Sequence, residues 1–239
     1  MQQYPSIGIL AGMGPRSTTP FLELVLNECK KQYNAKNDID YPQMLIYSLP
    51  TPFFVDRPLD HNAMRQVLIE GLKRLEDTNV SFIVMPANTI HQYFDELQKS
   101  ITTPLLHIVY ETINRIPLEY CPVTVLATES TMQSEIYQKT LTEKGFTHIF
   151  KEEWQQEVNA LIRGVKEGME KELLRSRLQS LLQKIEVEGP QGVIIACTDL
   201  TMLLDELQTG LFILDSAKCL AEATVEKYIS FSPPLESRF

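Results

Sequence analysis

The chain has 239 residues, 44% of them apolar, and a formal net charge of −9. That is enough chain and apolar content for one large domain or two small ones with a full core. The negative balance argues against nucleic acid or an anionic membrane as a partner, since both need basic patches, but not against a small anionic substrate held by a few local cations.

Along the chain, apolar runs alternate with amphipathic stretches. Ser6 to Ala11 reads as a buried strand ending in a tight turn, Gly12-Met13-Gly14-Pro15, and Thr18 to Tyr33 reads as a helix. Gln43 to Leu49 is a strand, Asp60 to Thr78 a helix, and Ser81 to Met85 a strand followed by a helix through Gln98. Leu105 to Val109 reads as a short strand, with a helix to about Ile116. The pattern then restarts. Pro122 to Ala127 is a strand, Met132 to Lys144 a helix, and Thr147 to Phe150 short and extended. Val158 to Ile185 is helical and strongly charged, with a break expected near Gly164 or Gly168. Gly192 to Ala196 is a strand, Leu200 to Gln208 a helix, Leu211 to Leu214 a short strand and Ala217 to Ile229 the closing helix. Residues 230–239 read as a loose tail. Such alternation implies an α/β fold whose mainly parallel sheet is covered on both faces.

The restart is an internal repeat. Residues 82–98 (FIVMPANTIHQYFDELQ) align without a gap on residues 192–208 (GVIIACTDLTMLLDELQ), and residues 7–18 align on 123–134. Two similar halves are therefore expected. Residues 1–117 with the helix at about 216–229 form the first, and 118–215 the second.

The Met1–Ser6 stretch has no basic region and no long apolar run, so it does not read as a secretory leader. No window approaches about 18 uninterrupted apolar residues, so no membrane span is expected. Cys29, Cys121, Cys197 and Cys219 are widely spaced and form no C-x-x-C. This argues against a disulfide framework or a zinc site and for a reducing cytoplasm.

In parallel α/β sheets, ligands bind beyond the carboxyl ends of strands. The repeat puts Ala87-Asn88-Thr89 and Cys197-Thr198-Asp199 at such ends. A free cysteine is often just a small buried hydrophobe. The strand-end position of Cys197, opening a helix, favours a reactive thiol with a lowered pKa instead. The Gly12-Met13-Gly14 turn lacks the third glycine of a dinucleotide fingerprint and is no P-loop. His91, Asp95 and Glu96 share a helix but are weak evidence for metal, and a supporting or capping role suits His91 better. His107 reads as a core or pocket-wall histidine. Asp199 and Asp215 read as orienting or helix-capping groups.

Several ordered motifs resemble the aspartate/glutamate racemase family. GILAGMGPRST resembles its glycine-rich turn, MPANTIHQYFDEL its P-C-N-T-x-H motif, and LATESTMQSEIYQ its second-half motif. VKEG resembles I-K-x-G, IIACTDL resembles G-C-T-E, and LDSAKCLAEA resembles the closing element. The likeness runs from Ile7 to about Lys227. It implies two flavodoxin-like halves related by a pseudo-twofold axis, with the active site in the cleft between them, and a homodimer. It implies a racemase of aspartate or glutamate that works by proton transfer at Cα, needing neither pyridoxal phosphate nor any other cofactor, and no metal. One thiolate would remove the α-proton and a second thiol would deliver one to the opposite face. Cys197 matches the second thiol. Asn88, Thr89 and Thr198 would hold the α-carboxylate, Arg57 and Lys166 the substrate carboxylates, and Thr131 and Ser134 would line the pocket with Met13. From the residues alone, Arg57 is equally a solvated loop cation, and Lys166 in its charged helix a surface ion-pair partner.

Ala87 departs from the family pattern, because it occupies the place of the first thiol. Two origins fit this residue, a natural one-thiol relative or an engineered Cys→Ala change, and either implies impaired racemisation. Two other functions fit a single thiol: a lyase that decarboxylates a small dicarboxylate, and a non-catalytic amino-acid binder.

Overall fold

The computed structural model describes residues 4–53 and 59–231. The chain divides into two compact units, residues 1–107 with 220–239, and residues 108–219. In the first, β1 (Ser6–Ala11) lies between β2 (Gln43–Ser48) and β3 (Phe82–Val84), both parallel to it. Every residue of β1 is buried, as expected of an unbroken apolar run at the centre of a parallel sheet. The edge strand β2 is only partly covered.

Helices α1 (Thr18–Tyr33), α2 (His61–Glu76) and α3 (Phe94–Lys99) complete this part of the unit. Asp60 starts α2 by accepting the amides of Asn62 and Ala63, each at 3.0 Å. Met64, Leu68, Leu72 and Leu75 then recur at helical spacing and join Leu10, Ile83 and Met85 in one apolar cluster. Full burial of a leucine side chain of this kind contributes about 1.5–3 kcal/mol.

The second unit contains α4 (Ile108–Ile113), β4 (Val123–Ala127), α5 (Glu129–Gln133), α6 (Ile136–Glu143), α7 (Glu152–Glu167), α8 (Lys171–Val187), β5 (Gly192–Ala196), α9 (Thr198–Thr201) and β6 (Phe212–Asp215). The closing helix α10 (Ser216–Phe231) begins here and carries the unit boundary at Leu220. Its sheet is again parallel, in the order β4-β5-β6. Trp154, Val158, Leu161 and Ile162 of α7 pack with Leu174, Leu178 and Leu182 of α8 and with Val193 and Ile195 of β5.

The repeat is visible in the sheet register. Ile7 pairs with Phe82 in the first unit, and the residues aligned with them, Val123 and Gly192, pair in the second. Each sheet is extended by one parallel bridge, Leu105 beside Ile83 in the first and His148 beside Val123 in the second. The order thus becomes β2-β1-β3-(Leu105) in one unit and (His148)-β4-β5-β6 in the other, the same succession of equivalent segments.

Several sequence-based expectations need correction. The Leu105–Val109 strand is a single bridge at Leu105, and Ile108 and Val109 already belong to α4. The segment after β3 begins as a 3-10 turn over Thr89–Tyr93 and turns α-helical only at Phe94. The Met132–Lys144 helix is divided by Glu135, whose φ of 55° is left-handed. The long charged helix starts earlier, at Glu152, and breaks at Gly168, where φ is 75°. The Leu200–Gln208 helix is only the four-residue α9. Ser230 and Phe231 finish α10, and residues 232–239 lie outside the described residues. No helix among the described residues is long and apolar enough to cross a membrane.

Candidate active site

In the first unit the glycine-rich turn leaves β1 at Gly12, whose φ is 97°. A Cβ at Gly12 would lie 2.6 Å from the Leu49 carbonyl oxygen, so glycine is required where the two strand ends close up. Met13 follows, partly buried against the cluster that holds Leu10 and Met85. Beyond β3, Ala87 and Asn88 are buried and Thr89 is half-buried. The Ala87 amide donates to the Met85 carbonyl at 2.8 Å, and the His91 amide to the Asn88 carbonyl at 3.0 Å. The His91 ring, 1% exposed, reaches back to the same Met85 carbonyl at 3.0 Å. Burial, and then the neighbouring His107, press the His91 pKa down to about 3, so the ring is neutral at ordinary pH. Arg57 lies outside the described residues.

In the second unit Cys197 follows β5 directly, at the N-cap position of α9, and its carbonyl accepts the Leu200 amide at 3.0 Å. Its thiol is buried, 6% exposed as a residue. Burial pushes the pKa up to about 12, and Asp199 pushes the same way, against the Asp199 and Leu200 amides and the Lys166 ammonium. The expected lowered pKa is therefore corrected. The amides and the cation act as a strand-end position predicts, but desolvation of the thiolate outweighs them. Lys166 sits at the exposed last turn of α7, which Gly168 terminates. Thr198 is half-buried beside Cys197.

Thr131 and Ser134 are engaged locally. Thr128 caps α5, with its hydroxyl 2.9 Å from that of Thr131, and the Ser134 hydroxyl donates to the Thr131 carbonyl at 2.6 Å. The second unit thus holds Cys197, Thr198 and Lys166 in electrostatic or direct sequence proximity, and Thr131 and Ser134 on the capping turn after β4, whose last residue Ala127 pairs with Ala196 just before Cys197. Asp215, at the end of β6, is half-buried with a raised pKa, chiefly by desolvation, and accepts the Ala217 amide at 2.8 Å. Sequence reasoning missed Gln155. It is buried, and its Nε2 donates to the Ala127 carbonyl at the end of β4 at 3.0 Å. The available signal was a polar residue embedded in the apolar face begun by Trp154 and Val158. Among the described residues no three His, Cys, Asp or Glu side chains converge as metal ligands would.

A thiol at the end of a parallel strand, with two backbone amides and a lysine acting on it, is equipped for proton transfer. The model of the Asp/Glu/Hydantoin racemase family matches residues 10–224. The chain belongs to that family. It is 48% identical over 225 residues to the broad specificity amino-acid racemase RacX of Bacillus subtilis (strain 168), covering 94% of this chain and 99% of that one. It is 28% identical over 155 residues to the glutamate racemase of Campylobacter jejuni subsp. jejuni serotype O:2, covering 60% of this chain and 58% of that one. Among solved structures it resembles an aspartate racemase homologue from Pyrococcus horikoshii OT3, with a TM-score of 0.76, 27% identity and 94% and 99% of the two chains covered. The protein is a racemase, and its two α/β units agree with the two similar halves that the family resemblance implied.

Proposed function

We propose that this racemase acts on acidic amino acids, aspartate or glutamate, by proton transfer at Cα without pyridoxal phosphate, with Cys197 as its acid–base thiol. The observation that carries the reading is the surroundings of Cys197: a strand-end thiol with the Asp199 and Leu200 amides and the Lys166 ammonium acting on it. An amino-acid α-proton is a very weak acid, so without an electron sink the carbanion needs fixed dipoles in a water-poor site. At rest, burial keeps Cys197 protonated and ready to donate to a carbanion. To remove a proton it must first ionise, and the amides and Lys166 are the groups that stabilise that thiolate.

The same reading gives Lys166 and Arg57 the substrate carboxylates, Asn88, Thr89 and Thr198 the α-carboxylate through their amides, and Met13, Thr131 and Ser134 further substrate contacts. Ala87, the counterpart of Cys197 in the repeat, has no proton to exchange. Inversion therefore lacks its second thiol, and this chain is an impaired racemase that still exchanges the α-proton. A homodimer in the cytoplasm belongs to the same reading.

The likeness to RacX favours a second reading, a wider range of amino acids. Chiral chromatography after incubation with single enantiomers of aspartate, glutamate, leucine and lysine separates the two. A preference for the acidic pair in kcat/KM supports the first reading, and equal turnover supports the second. Loss of carbon dioxide in place of enantiomer formation would identify a lyase. No reaction with any of them, in this chain or in Ala87→Cys, would overturn both racemase readings.

A further inference from the structure

We propose that His91 is a positioning residue. Its Nε2–H pins the Met85 carbonyl and thereby fixes the backbone that presents Ala87, Asn88 and Thr89. The geometry within the first unit is specific. The buried Met85 oxygen accepts two hydrogen bonds, from the Ala87 amide at 2.8 Å and from His91 Nε2 at 3.0 Å. A carbonyl only accepts, so Nε2 carries the hydrogen, and both lone pairs of the oxygen are then used. Pro86, between Met85 and Ala87, has no N–H to compete for that oxygen and a fixed φ. The backbone N–H of His91 meanwhile binds the Asn88 carbonyl at 3.0 Å. One residue therefore holds the loop from both sides, by its ring before Ala87 and by its backbone after it.

The other ring nitrogen argues against a mere space-filling role. His91 Nδ1 is buried and has no hydrogen-bond partner among the described residues, while the ring stacks on Phe94 at 6.0 Å and leans on His107 at 5.0 Å. An apolar side chain would fill that site without burying a bare acceptor, which is unfavourable. The bond made by Nε2 is what the imidazole adds. With its pKa held near 3 by burial and then by His107, the ring is uncharged at neutral pH, and its one N–H is engaged by the Met85 carbonyl.

The kinetic consequence rests on the racemase reading above, whereas the structural consequence does not, so the test uses both. In the full-length 15N-labelled protein, His91→Gln places an amide nitrogen near the Nε2 position, His91→Asn places it near Nδ1, and His91→Leu has none. The Ala87 amide should exchange with solvent roughly tenfold faster in the Leu and Asn variants and stay near wild type in the Gln variant, as loss of one buried hydrogen bond predicts. Racemisation or Cα exchange should lose kcat in the same order with KM little changed. Unchanged Ala87 exchange in a folded His91→Leu protein, or rescue by Asn as good as by Gln, would overturn the proposal. If the Leu variant does not fold, the Gln and Asn pair decides alone. If the amide pattern appears but no amino acid is turned over, the functional reading falls and the positioning role stands.

Discussion

Burial holds the Cys197 thiol protonated against the pull of the Lys166 ammonium, with Asp199 adding to the effect of burial. The resting site is therefore a thiol with a cation in electrostatic reach. That balance has measurable consequences for reactivity, for alkaline stability and for the role of the lysine.

Iodoacetamide should modify Cys197 slowly at neutral pH, at a rate that climbs toward a pKa of about 12. Cys121 is the half-buried one of the four thiols and should react first. A raised native pKa also means that the folded protein holds this proton more tightly than the unfolded chain. Its stabilising contribution is full below the ordinary thiol range and is lost as pH rises from about 9 to about 12. Mass spectrometry of the labelled peptides checks the order. Rapid labelling of Cys197 at pH 7 would mean that the amides and Lys166 outweigh burial.

His91 and His107 should set the acid limit of stability. Burial depresses both, to about 3 and about 4, with His107 adding to the effect at His91. Unfolded histidines bind protons near pH 6.5, so below that the unfolded chain takes up more protons than the folded one. Stability present above about pH 6.5 is then lost as pH falls toward 3 to 4. Thermal melts across this range should show the decline, and His91→Gln should flatten it. An unchanged pH profile in that variant would remove His91 from the account.

Lys166→Ala should weaken the binding of aspartate by about 1.5–3 kcal/mol, the contribution of a charge-assisted contact to a carboxylate. It should also raise the Cys197 pKa further, since the ammonium favours the thiolate. Calorimetry with each enantiomer measures the first effect and the pH dependence of alkylation the second. Full aspartate affinity in the variant would return Lys166 to the surface ion-pair role that its charged helix also suggests.

The strands and the repeat were legible because buried parallel strands are continuous apolar runs, and the aligned pairs Ile7–Phe82 and Val123–Gly192 share one register. The ends of the helices were not. The tetrapeptide DELQ occurs twice: Asp95–Gln98 lies in α3, whereas Asp205–Gln208 is not helical. The hydrogen bonds of the two segments differ accordingly. Gln98 receives the Leu105 amide at 2.8 Å, whereas the Gln208 backbone amide is taken by Gln179 of α8 at 2.9 Å. The placement of Cys197 at a strand end could be read from the repeat. The depth of its burial could not, and burial reversed the expected direction of its pKa. Gln155 was missed because a lone polar residue on an apolar helix face carries no motif.

Racemase chemistry through Cys197 is tested most directly by incubating single enantiomers of aspartate and glutamate in deuterated water. The chain as it stands should be compared with Ala87→Cys and with Cys197→Ser, using chiral chromatography and mass spectrometry. The unaltered chain should place deuterium at Cα with configuration largely retained. Ala87→Cys should raise inversion by about 10²- to 10⁴-fold, the usual worth of one positioned acid–base group. Cys197→Ser in the Ala87 chain, which has neither thiol, should lose the exchange. Rapid inversion by the unaltered chain that Ala87→Cys leaves unchanged, or deuterium exchange that survives Cys197→Ser, would contradict the account.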